Sequence, residues 1–217
     1  MTVTTTKLTR AAGLCAVAAG LLYVVVQLIH PDETVEEVTT TVWIVTHWLT
    51  LAMGVFALIG ISGMYFRQVT ETGVLGLIGF LLFGGFFLMV VAQAFVETVV
   101  LPAISEEAPG YVNDYLAAVV GKTVRGDVGS FTVVNALTSP LYLLGGFLLG
   151  VALYRARILA RWAALLLAIG APAAALVAVL PESLDRLLAF PVGMGLAGLG
   201  YSLWREAERR PSPGYAG

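Results

Sequence analysis

The chain has 217 residues, of which 59% are hydrophobic and 12% are charged, and its formal net charge is −2. Soluble domains are roughly 45–50% apolar and about 25% charged, because they must present a polar exterior to water. The composition therefore excludes a disordered chain, a disulfide-rich secreted domain and a nucleic-acid-binding protein with a basic face. It predicts an integral protein of the lipid bilayer.

The hydrophobic residues form six long runs, each close to the roughly 20 residues that cross a bilayer as a helix. The runs cover residues 11–30, 42–66, 74–101, 131–154, 161–180 and 187–204. They are continuous rather than alternating, and a lipid-exposed backbone must satisfy its own hydrogen bonds, so helices are expected and barrel strands are not. The sequence predicts one all-α membrane domain of six transmembrane helices.

A weak internal repeat predicts that these helices form three hairpins. The second, fourth and sixth runs end in an aromatic residue followed by arginine, and a proline follows each of the other three runs. The aromatic–arginine pairs are Phe66–Arg67, Tyr154–Arg155 and Trp204–Arg205, and the prolines are Pro31, Pro102 and Pro181.

The distribution of lysine and arginine predicts the orientation. Nine of the 12 basic residues fall on one side of the predicted membrane, whereas Lys122, Arg125 and Arg186 fall on the other. Cytoplasmic loops carry the excess of basic residues in membrane proteins. We therefore expect a protein of the plasma membrane with both termini in the cytoplasm, including the tail 205–217.

The longest connection, residues 102–130, is expected on the outer side. Within it, Pro109 to Gly121 fits a short amphipathic helix, because apolar and aromatic residues recur at helical spacing. Tyr111, Tyr115, Leu116 and Val119 share the predicted apolar face, and Asn113 and Asp114 lie off it.

Polar side chains within the spans are the candidate functional residues, since such groups are costly in lipid and usually face the bundle interior. They all lie in the outer halves of the first four runs, and they are Gln27, His30, His47, Gln93, Glu97 and Asn135. Residues three or four apart share a helix face, which pairs Gln27 with His30 and Gln93 with Glu97. The expectation is a polar pocket between helices 1–4, open to the outer side.

Three functions remain open for such a pocket. It could bind or transport a proton or a small cationic or amphipathic molecule, with Glu97 as the charge, His47 as its partner and the amides as orienting groups. It could act on a lipid-like substrate, with His47 and Glu97 as an acid–base pair or with His30, His47 and Glu97 around a metal. The protein could also be a structural or accessory subunit whose polar residues only hold helices together.

No cofactor motif is present, so no cofactor is predicted beyond that possible metal ion. The expected partners are the lipid bilayer and a small-molecule or lipid ligand, and no nucleic acid. Small residues such as Gly146 and Gly150 allow close helix approach. We expect them to serve packing within the bundle, with a homo-oligomer as the alternative.

Overall fold

The computed structural model describes residues 2–178 and 186–209, and in these ranges the regular structure is entirely helical. Five helical segments are long and apolar enough to cross a membrane. The helices are α1 (Thr5–Ile29), α2 (Thr41–Arg67), α3 (Val69–Phe95), α4 (Leu101–Ile104), α5 (Pro109–Val119), α6 (Phe131–Ala156), α7 (Arg161–Ala173) and α8 (Ala189–Arg209). The all-α membrane character expected from the sequence is therefore confirmed.

The predicted span 161–180 is longer than the regular α-helix that the structure shows there. Its regular helix, α7, has 13 residues and is followed by a 3₁₀ segment, Ala174–Ala178. Pro172 lies in the last turn of α7, where it has no N–H to donate, and this favours the change to tighter winding. Residues 179 and 180 lie outside the described ranges.

The third predicted span, 74–101, agrees with the structure at its start and differs from it at its end. Helix α3 is interrupted at Gly73, whose φ of 56° and ψ of −150° are not helical, so the regular spanning helix follows this break. At its other end α3 continues through a π-helical turn, Val96–Val100, into α4. The third predicted helix is thus extended beyond residue 101.

The long helices pack side by side in chain order, from α1 through α2, α3, α6 and α7 to α8, and α8 returns to pack against α1. Their shared core is apolar and includes Ile61, Phe83, Phe87, Leu149 and Leu199, which are all fully buried.

Glycines bring neighbouring helices into close contact within this chain. A Cβ built on Gly13 would lie 2.7 Å from the carbonyl oxygen of Gly200, so α1 and α8 approach backbone to backbone. The Gly146 and Gly150 pair of α6 likewise faces α7, against Ala171 and Ala168. The small-residue spacing therefore serves packing between helices of one chain, as van der Waals association in lipid requires.

The two ends of the bundle differ in chemistry. At the end that we call the arginine end, Arg67 forms a two-point ion pair with Glu206, and Arg10 pairs with Glu208 at 3.0 Å. These contacts hold the ends of α1, α2 and α8 together. The opposite end carries the connection between α1 and α2, with its four carboxylates between Asp32 and Glu37, and we call it the acidic end.

We expect Gly13→Ala to lower the free energy of unfolding by about 1–3 kcal/mol, because its new methyl group meets backbone atoms that cannot move aside. The matched control is Gly84→Ala, where the nearest atom to a new Cβ lies 3.8 Å away. Equilibrium unfolding in detergent micelles measures both variants. Equal stabilities would contradict backbone-to-backbone packing of α1 and α8.

Candidate functional site

A histidine and a glutamate meet in the interior near the acidic end. His47 of α2 and Glu97 of the π-helical turn are 1% and 7% exposed, and His47 Nε2 lies 3.4 Å from Glu97 Oε2. His47 is in the second turn of α2, whereas Glu97 lies near the end of the third long helix. Two ionisable side chains from different helices therefore face each other out of contact with water.

A backbone carbonyl fixes the protonation pattern of His47. Its Nδ1 is 2.8 Å from the carbonyl oxygen of Trp43, one turn earlier in α2. A carbonyl only accepts, so this nitrogen carries the hydrogen and donates it. In the neutral ring, Nε2 is then a lone pair directed away from the helix. This atom is buried and has no hydrogen-bond partner among the described residues.

The π-helical turn positions Glu97. The N–H of Leu101 donates to the carbonyl of Val96, and the next residue, Pro102, has no N–H to offer to the carbonyl of Glu97. Trp43 supplies the missing donor from α2, because its fully buried indole Nε1 donates to the Glu97 carbonyl at 2.8 Å. Single π turns occur frequently at functional sites, and here one fixes Glu97 beside the histidine.

His30 and Glu33 join the pair from the connection after α1. Pro31 disfavours a helical conformation at the residue before it, so α1 ends at Ile29 and His30 turns away as its C-cap. The ring of His30 then lies 5.1 Å from that of His47, edge to face. One ligand-type atom from each of His30, Glu33 and His47 lies within 4.8 Å of the other two.

Burial dominates the electrostatics outside the helices. It raises the pKa of Glu33 to about 7, because the carboxylate is poorly solvated there. Burial also lowers the pKa of His30, and the nearby Arg186 guanidinium lowers it further. Arg186 donates to the carbonyl oxygens of Leu28 and His30, which are left without partners at the end of α1.

Helix α5 covers the cluster. Val112, Tyr115 and Leu116 pack with Trp43 and Leu101 in a second apolar core at the acidic end. Burial raises the pKa of Tyr115, and the charges of Glu97 and Glu33 add to this effect. Its hydroxyl is buried with no hydrogen-bond partner among the described residues.

The face assigned to α5 from sequence needs one correction. Asp114, expected off the apolar face, is buried, whereas Tyr111 is 42% exposed. The reason is a local cap, because the Asp114 carboxylate accepts hydrogen bonds from the backbone N–H groups of Arg125 and Gly126 at 3.0 and 2.8 Å. A carboxylate with two such donors can be buried at low cost.

The six candidate residues do not form one pocket. Gln93 donates to Asn135 at 3.2 Å, and Asn135 donates to the carbonyl of Ala118 at 2.9 Å, so these two amides connect α3, α6 and α5. Gln27 lines a separate cavity of about 170 Å³, which also touches His30. His30, His47 and Glu97 are the members that the structure brings together.

Three residues of the site were missed from sequence. They are Glu33, Trp43 and Tyr115, of which the sequence places only Tyr115, on the apolar face of α5. The signal for Glu33 was its spacing of three residues from His30 across a proline. The indole bond of Trp43 has no sequence signal, because it depends on the π turn of another helix.

A comparison with known protein families, characterised proteins and solved structures finds no match to this chain. Its function must therefore follow from the chemistry of the site. Two imidazoles, two carboxylates and a phenol can hold a proton or a metal ion.

We expect Trp43→Phe to lower the free energy of unfolding by about 1–3 kcal/mol, because the buried carbonyl of Glu97 loses its donor. Trp48→Phe is the matched control, since Trp48 lies on the same helix and is 51% exposed. Unfolding in detergent measures both. A variant at Trp43 as stable as the one at Trp48 would mean that the indole bond contributes nothing.

Proposed function

We propose that this chain is a multi-pass membrane protein that binds a cation in the cluster of His30, Glu33, His47 and Glu97. The observation that carries the proposal is the contact between His47 Nε2 and Glu97 Oε2. A neutral imidazole nitrogen and a carboxylate oxygen both accept hydrogen bonds, and here they are 3.4 Å apart in a buried position.

Two facing acceptors repel each other unless a positive species lies with them. Burying a carboxylate or a lone pair without a partner costs several kcal/mol. A proton on either group, or a cation bound by both, removes that cost. Binding of a proton or another cation therefore stabilises this arrangement.

The surface above the cluster supports the entry of a cation from the acidic end. Asp32 and Glu36 are exposed on the connection that carries Glu33, and Glu106 and Glu107 are exposed between α4 and α5. Carboxylates around an opening raise the local concentration of cations. The guanidinium of Arg186 opposes this field, but it is turned toward the carbonyls at the end of α1.

The region below the cluster, where Gln27 is exposed on the surface of the bundle, supports binding rather than open conduction. A cavity of about 170 Å³ extends along α1 past Gln27 and Tyr23, which lie on the same face as His30. Tyr23 is the last polar side chain along this cavity, and it donates its hydroxyl hydrogen to Tyr142 at 2.9 Å. The core packed around these two rings is apolar.

We also propose six membrane crossings, with the arginine end in the cytoplasm of a cell whose plasma membrane holds the protein. Ala160, at the start of α7, donates to Ser202 near the arginine end, whereas Arg186 bonds to residues at the acidic end. The chain therefore passes from one end of the bundle to the other between these points. This supports a crossing by α7 and its 3₁₀ extension, which is the fifth in chain order and brings the total to six.

Single cysteines placed in a Cys15→Ala background test this topology, since Cys15 is the chain's one cysteine. We expect a membrane-impermeant maleimide to label Glu36→Cys and Leu187→Cys in intact cells. It should label Arg155→Cys only after the membrane is permeabilised, because the positive-inside rule puts that residue in the cytoplasm. The reverse pattern contradicts the orientation. If Leu187→Cys and Arg155→Cys are labelled under the same condition, the crossing by α7 and its 3₁₀ extension is contradicted.

Cation binding is tested with Glu97→Gln, which keeps the shape of the side chain and removes its charge. For the wild type we expect one cation among Na⁺, K⁺, Mg²⁺, Mn²⁺, Zn²⁺ and H⁺ to raise stability, by about 2.7 kcal/mol at a concentration of 100 Kd. Thermal unfolding in detergent measures the metal cations, and a pH-sensitive dye measures proton uptake.

The variant should lose this response while remaining helical by circular dichroism. Glu106→Gln, an exposed acid at the same end, should keep it. If wild type and Glu97→Gln respond identically to every cation, the proposed function is wrong.

A further inference from the structure

From the same cluster we infer a binding site for one divalent transition metal ion of the Zn²⁺ class, with His30, Glu33, His47 and Glu97 as its ligands. This inference rests on the proposed function and narrows the cation from any positive species to a metal. Three separate features of the side chains carry it.

The first feature is the spacing of the donor atoms. Zinc binds imidazole nitrogen and carboxylate oxygen with bonds of about 2.1 Å, and in a tetrahedral site two such ligand atoms are then roughly 3.4 Å apart. The separation of His47 Nε2 and Glu97 Oε2 is 3.4 Å. Ligand atoms of His30, Glu33 and His47 lie within 4.8 Å of one another, and Glu97 adjoins this group through its contact with His47.

The second feature is the state of the histidines. Nδ1 of His47 donates to the carbonyl of Trp43, and Nδ1 of His30 lies 3.0 Å from the carbonyl of Pro31. Histidines that bind metals almost always donate their other ring hydrogen to a carbonyl or carboxylate, which fixes the ring and its tautomer. His47 therefore leaves Nε2 as a lone pair, and His30 Nδ1 lies 3.9 Å from Glu33 Oε1 as well as near the carbonyl of Pro31.

The third feature is the set of buried donor atoms that lack partners. His47 Nε2 and Glu33 Oε2 are both buried without a hydrogen bond among the described residues. His47 is 1% exposed, so its nitrogen is out of contact with bulk solvent. A metal ion accepts electron pairs from imidazole nitrogens and carboxylate oxygens such as these. Each ligand bond then replaces a hydrogen bond that the fold does not supply.

The donor set points to the class of metal. Imidazole suits Zn²⁺, Fe²⁺ and similar ions, whereas Mg²⁺ and Ca²⁺ prefer oxygen ligands alone. A set of two imidazole nitrogens and two carboxylates favours Zn²⁺, and Co²⁺ can replace it as a spectroscopic probe. The two carboxylates also balance the two charges of the ion, which a buried site requires.

The test uses the full-length protein in detergent, freed of metal by a chelator and titrated with CoCl₂ and separately with ZnCl₂. We expect one ion per chain and the visible absorption of tetrahedral Co²⁺, displaced by Zn²⁺. His30→Gln and Glu33→Gln should each weaken binding at least as much as loss of an outer-shell partner does, about 10–100-fold. Glu36→Gln, an exposed acid of the same connection, should leave binding unchanged.

Three results would overturn the inference. If Co²⁺ does not bind but a monovalent cation or a proton binds in a way that requires Glu97, the metal assignment fails while the proposed cation site stands. If Co²⁺ binds equally well to His30→Gln and Glu33→Gln, these residues are not ligands. If neither metal nor any other cation responds to Glu97→Gln, both proposals fail together.

Discussion

The end of the third long helix is the constraint on which the acidic end of the molecule depends. Pro102 cannot donate a hydrogen bond, and the helix widens into a π turn before it. The carbonyl of Glu97 therefore accepts its hydrogen bond from the indole of Trp43, and this bond joins α2 to the turn. Because His47 is one turn beyond Trp43 on α2, the same bond brings the imidazole opposite the Glu97 carboxylate. One missing N–H thus determines where two ionisable side chains meet.

Much of the fold could be predicted because lipid imposes a simple rule on sequence. A helix must be apolar over about 20 residues to cross, so the sequence predicts the runs that form α1, α2, α3 and α6, although α1 begins at Thr5 rather than at residue 11. The rule weakens where a helix is buried by neighbours or broken by proline. Pro172 shortens α7, and Gly73 breaks the start of α3, and neither change alters the hydropathy of the run.

The candidate site was harder to predict because it depends on the ends of helices. Hydropathy marks His47 and Glu97, since a charged or polar residue stands out within an apolar run. It does not mark Glu33, because an acid in a connection looks like solvent-exposed charge. The turn at Pro31 places His30 and Glu33 beside His47 of α2, and the Glu33 carboxylate is therefore buried. Gln93 and Asn135 are also polar residues within apolar runs, as Glu97 is, but they hydrogen-bond to each other instead of joining the cluster.

That difference separates a structural polar group from a binding group. Gln93 and Asn135 satisfy each other and the end of α5, and Tyr23 satisfies Tyr142, so each of these pairs closes its hydrogen bonds within the protein. In the cluster, His47 Nε2, Glu33 Oε2 and the Tyr115 hydroxyl remain without partners in the part of the chain that the structure describes. One side-chain oxygen in each of Thr46, Gln68 and Thr138 also lacks a partner, and what distinguishes the cluster is that its unpartnered atoms lie among ionisable groups. Buried lone pairs among ionisable groups are satisfied by a bound donor or cation, and this makes the cluster our candidate for cation binding.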